Sequence, residues 1–414
     1  MAESTSLLNY LWIRLPLILL FVNGYLIYRL LVITGLTDLF VRWSLRRSHG
    51  RVDRILLYII VTAALLSFFI PNAITVLTLL PILKSIDEEI SLEYEGLRLT
   101  TPLSLSVIYG ANIGGMGSLI GSPANLLLIA ALDFFGVPGR EQINFFSWFL
   151  WAVPLVVVFL TIAWALVVWL GVPQRVHGLR LRLPNSFAFQ KPASQHHDGI
   201  ILFGLFLAFW ISEAVLLEVL PFFNRLEPFV CLLYFLVFVW FCFFRHRPAL
   251  GRPLMRVRDV FSELPWRGLL FLGLLIAVML AVNLLHLDRR AAAVYSAWIG
   301  HETSVFMVFL LMTLTVIFLT EVFSNTVVSM AFFSIAYYAA LGQEISPLAL
   351  MISVSIASTC AFMTPVATPC NALVFGEMKG TSLRRMLLLG LVLNMLGGLL
   401  MTLWLQNVIP LVYP

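Results

Sequence analysis

The sequence predicts an all-α polytopic membrane protein built as an inverted repeat, with two re-entrant helical hairpins and two broken transmembrane helices. Three observations carry that prediction. First, 61% of the 414 residues are hydrophobic and 11% charged, and the mean hydropathy is +0.97, which leaves too little polar surface to cover a soluble globule. Second, four polar, helix-breaking segments lie inside apolar runs: Ser67-Phe68-Phe69-Ile70-Pro71-Asn72-Ala73, Gly121-Ser122-Pro123-Ala124-Asn125, Thr320-Glu321-Val322-Phe323-Ser324-Asn325-Thr326 and Ala367-Thr368-Pro369-Cys370-Asn371. Third, these segments pair up: Asn325 follows Asn72 by 253 residues, and Pro369 follows Pro123 by 246. In a bilayer, non-helical backbone persists only where protein or a hydrated cavity satisfies its amides and carbonyls.

Apolar segments occupy 9–33, 53–88, 99–135, 146–171, 199–220, 228–244, 268–287, 303–341, 347–378 and 386–412. The opening residues lack a basic n-region and no small-residue cleavage site follows, so 9–33 is expected to stay as a span, followed by an amphipathic helix from Asp38 to Arg47. A straight span takes about 20 apolar residues, so the segments of more than thirty residues must fold back or break. Basic residues decide between these. Arg42 to Arg54, Arg175 to Lys191, Arg245 to Arg267 and Lys379 to Arg385 hold 18 of the 26 Lys and Arg, and are expected on the cytoplasmic side. All four groups share one side only if 53–88 and 303–341 return to the face they entered and if 99–135 and 347–378 each cross once. The first two are therefore hairpins. Parity leaves open whether they cross fully, but a re-entrant path would hold the tips Pro71-Asn72 and Ser324-Asn325-Thr326 at mid-depth. The second two are spans broken near Gly121-Ser122-Pro123 and Ala367-Thr368-Pro369. The count is eight single spans plus two hairpins in a cell (inner) membrane, with both termini outside.

The expected division is 1–52, a scaffold span and amphipathic helix; 53–171, a first repeat of hairpin, broken helix and span; 172–302, a cytoplasmic linker and scaffold spans; and 303–414, a second repeat of hairpin 303–341, broken helix 347–378 and span 386–412. The first hairpin enters from the basic side and the second from outside, so the repeat is inverted. Matched interruptions in two halves point to a cargo site near the bilayer midplane.

Other classes fit poorly. Cys231, Cys242, Cys360 and Cys370 lie in apolar segments with no Cys-x-x-Cys spacing, which indicates neither a disulfide framework nor a zinc site. The net charge of +5 comes from residues beside spans and reads as topology, so no nucleic-acid partner is expected. An intramembrane enzyme is disfavoured, because there is no His-Glu-x-x-His, no pair of membrane-embedded aspartates and no Ser with a nearby membrane His.

The Thr320 to Thr326 segment resembles the second Ser-Asn-Thr hairpin tip of the divalent-anion:sodium symporters, the di- and tricarboxylate and sulfate carriers. Ala361 to Gly376 is similar to that family's next helix break, and Ile113 to Asn125 to its first-half partner. The likeness is specific over 53–135 and 303–378 and elsewhere is one of hydropathy and order. It implies a homodimer in the lipid bilayer, in which a scaffold carries a moving transport domain, an elevator coupled to Na+.

Carried over position by position, the resemblance implies one sodium at Ser67, Asn72 and the backbone of Pro71 and Gly121. A second is implied at Thr320, Asn325 and the backbone of Phe323 and Ala367. A small anionic substrate would meet Asn72, Ser122, Asn325, Thr326 and Thr368, with half-helix N-termini adding partial positive charge. Two features depart from the family. The first tip reads Pro71-Asn72-Ala73 where the family has Ser-Asn-Thr, and the two or three scaffold spans expected ahead of 9–33 are missing, which a compact member or a chain that begins late would both explain. Arsenite or antimonite permeases and sodium/proton antiporters share the wider superfamily, so these, and a proton-coupled or exchange carrier, stay open beside sodium symport. A transport-incompetent remnant also stays open.

Several features have plainer readings. Gly114 to Gly121 contains small-xxx-small spacing that suits helix packing. Glu321, an intramembrane carboxylate, is a functional candidate or a brace for the hairpin tip. Glu213 and Glu218 are expected in the scaffold or an interface, His196-His197 in a solvated loop, and Gly397-Gly398 in a helix contact.

Overall fold

The computed structural model describes residues 7–93, 98–173, 193–220, 222–247, 251–261 and 304–414, together with 176, 277, 284–286 and 290. The expected span 268–287, the basic positions Arg175, Arg180, Arg182, Lys191 and Arg267, and the Glu218 side chain lie outside the described residues or nearly so. In chain order the helices are α1 (Leu7–Thr34), α2 (Leu36–Arg47), α3 (Val52–Ser67), α4 (Asn72–Glu93), α5 (Thr100–Gly114), α6 (Pro123–Phe135), α7 (Phe145–Leu166), α8 (Ala193–Val219), α9 (Phe223–Val239), α10 (Val257–Phe261), α11 (Val305–Thr320), α12 (Asn325–Gly342), α13 (Pro347–Ala357), α14 (Pro369–Glu377) and α15 (Leu383–Val412). The described strands are β1 (His246–Arg247) and β2 (Arg252–Pro253), paired antiparallel.

Among the described residues six helical stretches are long and apolar enough to cross a membrane: Trp12–Thr34, Phe145–Gly171, His196–Leu217, Phe223–Phe244, Asn325–Gly342 and Leu383–Val412. The protein is thus an all-α polytopic membrane protein. Helices α7 and α9 each run on into a wider π turn, at Val167–Gly171 and Trp240–Phe244.

The chain forms two compact units. One comprises Met1–Leu39, Asn144–Phe146 and Ala188–Pro265. Here α1 packs against α8 and α9, with Trp12 edge-on to Phe229 at 4.7 Å, and Tyr25 donating to Val260 O at 2.9 Å. Phe209 and Tyr234 stack at 3.8 Å, and Gly199 lies so close to α1 that a Cβ there would be 2.7 Å from Thr34 Oγ1. Glu213 is buried in this unit. His196 and His197 are not in a loop: they sit in the first turns of α8, beside the Asp198 to Arg247 ion pair at 3.1 Å. The hydropathy of the sequence marks only the part of a helix that lipid surrounds, whereas the hydrogen-bond ladder continues into polar residues.

The other unit comprises Phe40–Ile143, Ser147–Phe187 and Trp266–Pro414. Its framework is a set of close helix contacts. A Cβ on Gly110 would sit 2.4 Å from Ile60 O, and one on Gly114 2.4 Å from Ala64 O, so these glycines let α5 lie directly on α3. Gly398 meets Leu314 and Ile317 of α11 in the same way, and Gly397 meets Phe159. Indoles tie the apolar body to backbone: the buried Trp148 donates to Met116 O at 2.9 Å, and the half-buried Trp164 and Trp404 donate to Asp53 O at 2.9 Å and Trp151 O at 3.1 Å.

Within this unit four helices are interrupted. Residues 68–71 separate α3 from α4, 115–122 separate α5 from α6, 321–324 separate α11 from α12, and 358–368 separate α13 from α14. The last segments before α6 and α14 are built alike. Ser122 and Thr368 are extended N-caps whose side chains accept from Ala124 N at 3.3 Å and Asn371 N at 3.1 Å, and Pro123 and Pro369 follow at the first helical position. The interruptions around them are longer than the Gly-Ser-Pro and Ala-Thr-Pro motifs at which the sequence places the breaks.

Candidate functional site

The two halves repeat one hydrogen-bond pattern. Asn125 Nδ2 donates to Gly115 O at 3.3 Å and Ser118 O at 2.8 Å; 246 residues later, Asn371 Nδ2 donates to Ala361 O and Thr364 O, each at 2.9 Å. The hydroxyl of Ser118 donates to Phe68 O, and that of Thr364 to Glu321 O at 2.7 Å. In each half an asparagine thus holds the unwound backbone from within, and a hydroxyl fastens it to the neighbouring hairpin tip. These bonds satisfy the carbonyls that the missing helical turns release.

The halves differ at one corresponding position, which is Phe68 in the first and Glu321 in the second. The Phe68 ring lies over Gly117, where a Cβ would be 2.3 Å from Phe68 Cε1. Glu321 is buried instead among donors: its Oε1 accepts from Phe362 N at 2.7 Å, Met363 N at 2.8 Å and Asn394 Nδ2 at 2.8 Å, and its Oε2 from Thr364 N at 2.9 Å. A carboxylate accepting three consecutive backbone N–H groups is a structural brace, the plainer of the two roles its sequence position allowed. Glu321 carries the sole acidic or basic side chain within the four interruptions. The rest of the lining is neutral.

Around the first tip, oxygens gather at the Gly115 and Gly121 turn. A Cβ on Gly115 would stand 3.3 Å from Asn72 Oδ1 and 3.4 Å from Gly121 O, and one on Gly121 would stand 2.8 Å from Gly115 O and 3.0 Å from Ser67 O. A side chain at Gly121 would collide with backbone, and one at Gly115 would press on its neighbours. Asn72 Oδ1 is buried and has no hydrogen-bond partner, whereas Asn72 Nδ2 donates to Asn112 Oδ1 at 3.2 Å. An amide oxygen that faces carbonyl oxygens without a donor is unfavourable unless a cation lies between them. Of the four first-site residues expected from sequence, Ser67, Asn72 and Gly121 converge here. Pro71 is exposed, and its carbonyl accepts from Ile74 N at 2.9 Å and Thr75 N at 3.1 Å as the first acceptor of α4. The Ser67 hydroxyl is turned to Thr75 Oγ1 at 3.2 Å, which leaves the Ser67 carbonyl as the group nearest Gly121.

At the second tip Thr320 Oγ1 lies 2.7 Å from Asn325 Oδ1 and 2.8 Å from Ser358 O. The hydroxyl has one proton and can donate to only one of these oxygens, so three oxygens share a single hydrogen. Phe323, between Thr320 and Asn325 in sequence, is exposed, and Ala367, nine residues after Ser358, is buried. Asn325 and Thr326 are half-buried at the start of α12, and Thr368 and Ser122 are buried at the starts of α14 and α6. Capping uses an acceptor lone pair of the Ser122 and Thr368 oxygens, so each hydroxyl proton stays available to an anion.

Sequence reasoning missed the residues that join the halves. Asn112 Nδ2 donates to Ala361 O at 2.8 Å and Asn371 Oδ1 at 3.1 Å, and Ser355 Oγ donates to Asn125 Oδ1 at 2.9 Å. Asn112 carried a usable signal, an isolated amide in a helix whose every residue is buried. Ser355 and Ser358 carried none, since serines are common packing residues in membrane helices. The small-residue run also divides by role: Gly110 and Gly114 serve helix packing, whereas Gly115 and Gly121 shape the turn.

The geometry is that of a duplicated, oxygen-rich set of helix interruptions in a membrane protein, and comparisons with known proteins give the family. A family model described as citrate transporter matches residues 5–343. The sodium-dependent dicarboxylate transporter SdcS of Staphylococcus saprophyticus is 26% identical over 410 residues, covering 89% of this chain and 73% of that protein. An uncharacterized transporter of Methanocaldococcus jannaschii is 26% identical over 372 residues, covering 89% and 77%. The Na(+)/dicarboxylate cotransporter 3 of Rattus norvegicus is 27% identical over 356 residues, covering 74% and 56%. With its twofold helix interruptions and a match across most of its length, the chain belongs to the citrate transporter family and is a membrane transporter, not an enzyme.

Proposed function

We propose that the protein is a secondary active transporter that couples sodium entry to uptake of a di- or tricarboxylate. The observation that carries this reading is the pair of oxygen clusters beside interrupted helices, with Asn72 Oδ1 unpartnered in the first and Thr320, Asn325 and Ser358 sharing one hydrogen in the second. Sodium is a hard cation that takes neutral oxygens, and carbonyls freed by an interrupted helix supply them without burying a formal negative charge. The first ion is assigned to Ser67, Asn72, Gly115 and Gly121, and the second to Thr320, Asn325, Phe323 and Ala367 with Ser358.

The substrate carboxylates are assigned to the side-chain amides of Asn72 and Asn325 and to the hydroxyls of Ser122, Thr326 and Thr368. With no Lys or Arg in the interruptions, attraction for the anion comes from these donors, from the first turns of α6 and α14, and from the bound cations. An ion beside each hairpin tip stabilises the geometry that receives the anion, which gives coupling without a buried ion pair. The unit that contains all four interruptions is assigned as the moving transport domain, and the unit of α1, α8, α9 and α10 as the scaffold of a homodimeric elevator. The names of the relatives, dicarboxylate transporters that depend on sodium, point the same way.

The test is initial-rate uptake of radiolabelled succinate, citrate, sulfate and arsenite into proteoliposomes, under a sodium gradient, a proton gradient and neither. Succinate or citrate uptake that requires sodium is expected. Uptake driven by protons alone would replace sodium by proton coupling, a result that the missing hydroxyls at Pro71 and Ala73 would then explain. Arsenite as the sole cargo would overturn the carboxylate assignment.

A further inference from the structure

We propose that Asn112 is a positioning residue that aims the Asn72 oxygen into the first ion cluster and so makes that cluster depend on the second half of the chain. The inference rests on the sodium-coupled reading above and assigns a part in it to a residue outside both ion clusters.

The argument is one of amide orientation. An asparagine end can be a double donor or an acceptor, and which way it points is fixed by its neighbours. Asn371 Nδ2 faces Ala361 O and Thr364 O, each at 2.9 Å. Both are backbone carbonyls that only accept, so the Asn371 oxygen must face the other way, toward Asn112. Asn112 Nδ2 lies 2.8 Å from Ala361 O and 3.1 Å from that Asn371 oxygen, so it too can only donate there. Its own oxygen is thereby turned to Asn72 Nδ2 at 3.2 Å. The Asn72 oxygen is left on the other side of that amide, 3.3 Å from where a Gly115 Cβ would stand, and there it is buried and unpartnered.

Backbone carbonyls of the second interruption thus set, through three amides in series, which atom of Asn72 the cation meets. Were Asn72 flipped, its NH2 group would face the carbonyls and the cation, and its oxygen would oppose the Asn112 oxygen. If the segment holding Ala361 and Asn371 loosened, Asn112 would be free to turn, and the first cluster would lose a ligand. Asn112 is fully buried, and its one hydrogen bond to the first cluster is the one to Asn72 Nδ2, so it acts through Asn72.

The test compares the parent, Asn112→Leu, Asn72→Ala and the double variant, each as the full-length protein. Two quantities are read: the sodium concentration that half-saturates initial-rate uptake, and the sodium-dependent rise in thermal midpoint of the purified protein, which reports binding without transport. Loss of one orienting hydrogen bond should raise half-saturating sodium about tenfold in Asn112→Leu. The substrate KM at saturating sodium should move by less than half-saturating sodium does, since of the five assigned substrate donors only the Asn72 amide bonds to Asn112. In the Asn72→Ala background no oxygen remains to be aimed, and Asn112→Leu should add nothing. Asn112→Ser, too short to bridge three amides and free of an apolar group against Ala361 O, carries the same expectation if the leucine variant fails to fold. Parent-like sodium dependence in the Asn112 variants, or a shift that adds to that of Asn72→Ala, overturns the proposal and leaves sodium coupling standing. A parent with no sodium response in either readout removes the sodium-coupled reading, and this inference falls with it.

Discussion

Glu321→Gln is the sharpest test of what holds the second interruption open. The substitution keeps size and shape but turns one carboxylate oxygen into an amino group. The remaining oxygen can still face Phe362 N, Met363 N and Asn394 Nδ2, now at 2.7, 2.8 and 2.8 Å, whereas Thr364 N, at 2.9 Å from the other oxygen, would meet a second donor. An orphaned buried donor costs about 1–3 kcal/mol, and each of the three other bonds loses about 1 kcal/mol as its acceptor becomes neutral. Removing a buried charge returns part of this through relief of desolvation, so a net loss of about 2–4 kcal/mol is expected. Against an ordinary stability of about 5–15 kcal/mol that is a large fraction, and it should appear as a clearly lower midpoint when the purified protein is heated in detergent and its monodisperse fraction followed. Asn325→Ala is the control. Its amide is half-buried and accepts one bond, from Thr320, so it should cost no more than about 1 kcal/mol of stability while abolishing uptake. Glu321→Gln melting with the parent would refute the brace. Normal uptake by Asn325→Ala would refute the assignment of the second tip.

Three further outcomes are expected. Gly121→Ala places a methyl 2.8 Å from Gly115 O and 3.0 Å from Ser67 O, so it should abolish uptake, and retention of normal rates would show that these carbonyls do not form a site. Cysteines introduced singly at Ser324 and Ala73, in a background without the four native cysteines, should react with an impermeant thiol reagent from outside and from the cytoplasm respectively, with both rates changed by substrate plus sodium; labelling of Ser324 from the cytoplasm alone would contradict the inverted arrangement. Pro71→Ser with Ala73→Thr adds to the first tip the hydroxyls that Ser324 and Thr326 give the second, and should lower half-saturating sodium or steepen its curve in initial-rate uptake, unless the proline fixes the turn and its loss loosens the hairpin.

The helix interruptions were legible because their punctuation is local. Ser122-Pro123 and Thr368-Pro369 are N-cap and first-turn pairs that read the same in any context, Pro71 cannot extend the helix before it, and Ser324-Asn325 favours a cap over a helix interior. Their extent was not legible. Ala361, Phe362 and Met363 have no aversion to helix, and the groups that take up their backbone are Glu321, about forty residues earlier, and Asn371. Tertiary partners overrode propensity there. Candidate residues were readable at the tips, where a polar residue inside an apolar run stands out, but Ser355 and Ser358 enter the hydrogen-bond pattern through position alone. Pro71, whose place in the motif suggested a backbone ligand, has a carbonyl that accepts from Ile74 N and Thr75 N at the start of α4, which its position in the sequence did not reveal.

The bonds between the halves also bear on how the protein is made. Asn112 reaches Asn371 across 259 residues and Asn125 receives Ser355 across 230. At a synthesis rate of about 5–20 residues per second, the first half waits roughly 10–50 s in the membrane before those partners emerge from the ribosome. During that interval Asn112 Nδ2 and Asn125 Oδ1 lack the partners that the second half later supplies. An arrested nascent chain ending before residue 347 should therefore be cleaved by protease within 115–122, where the full-length protein resists, and equal resistance would show that the first half matures by itself.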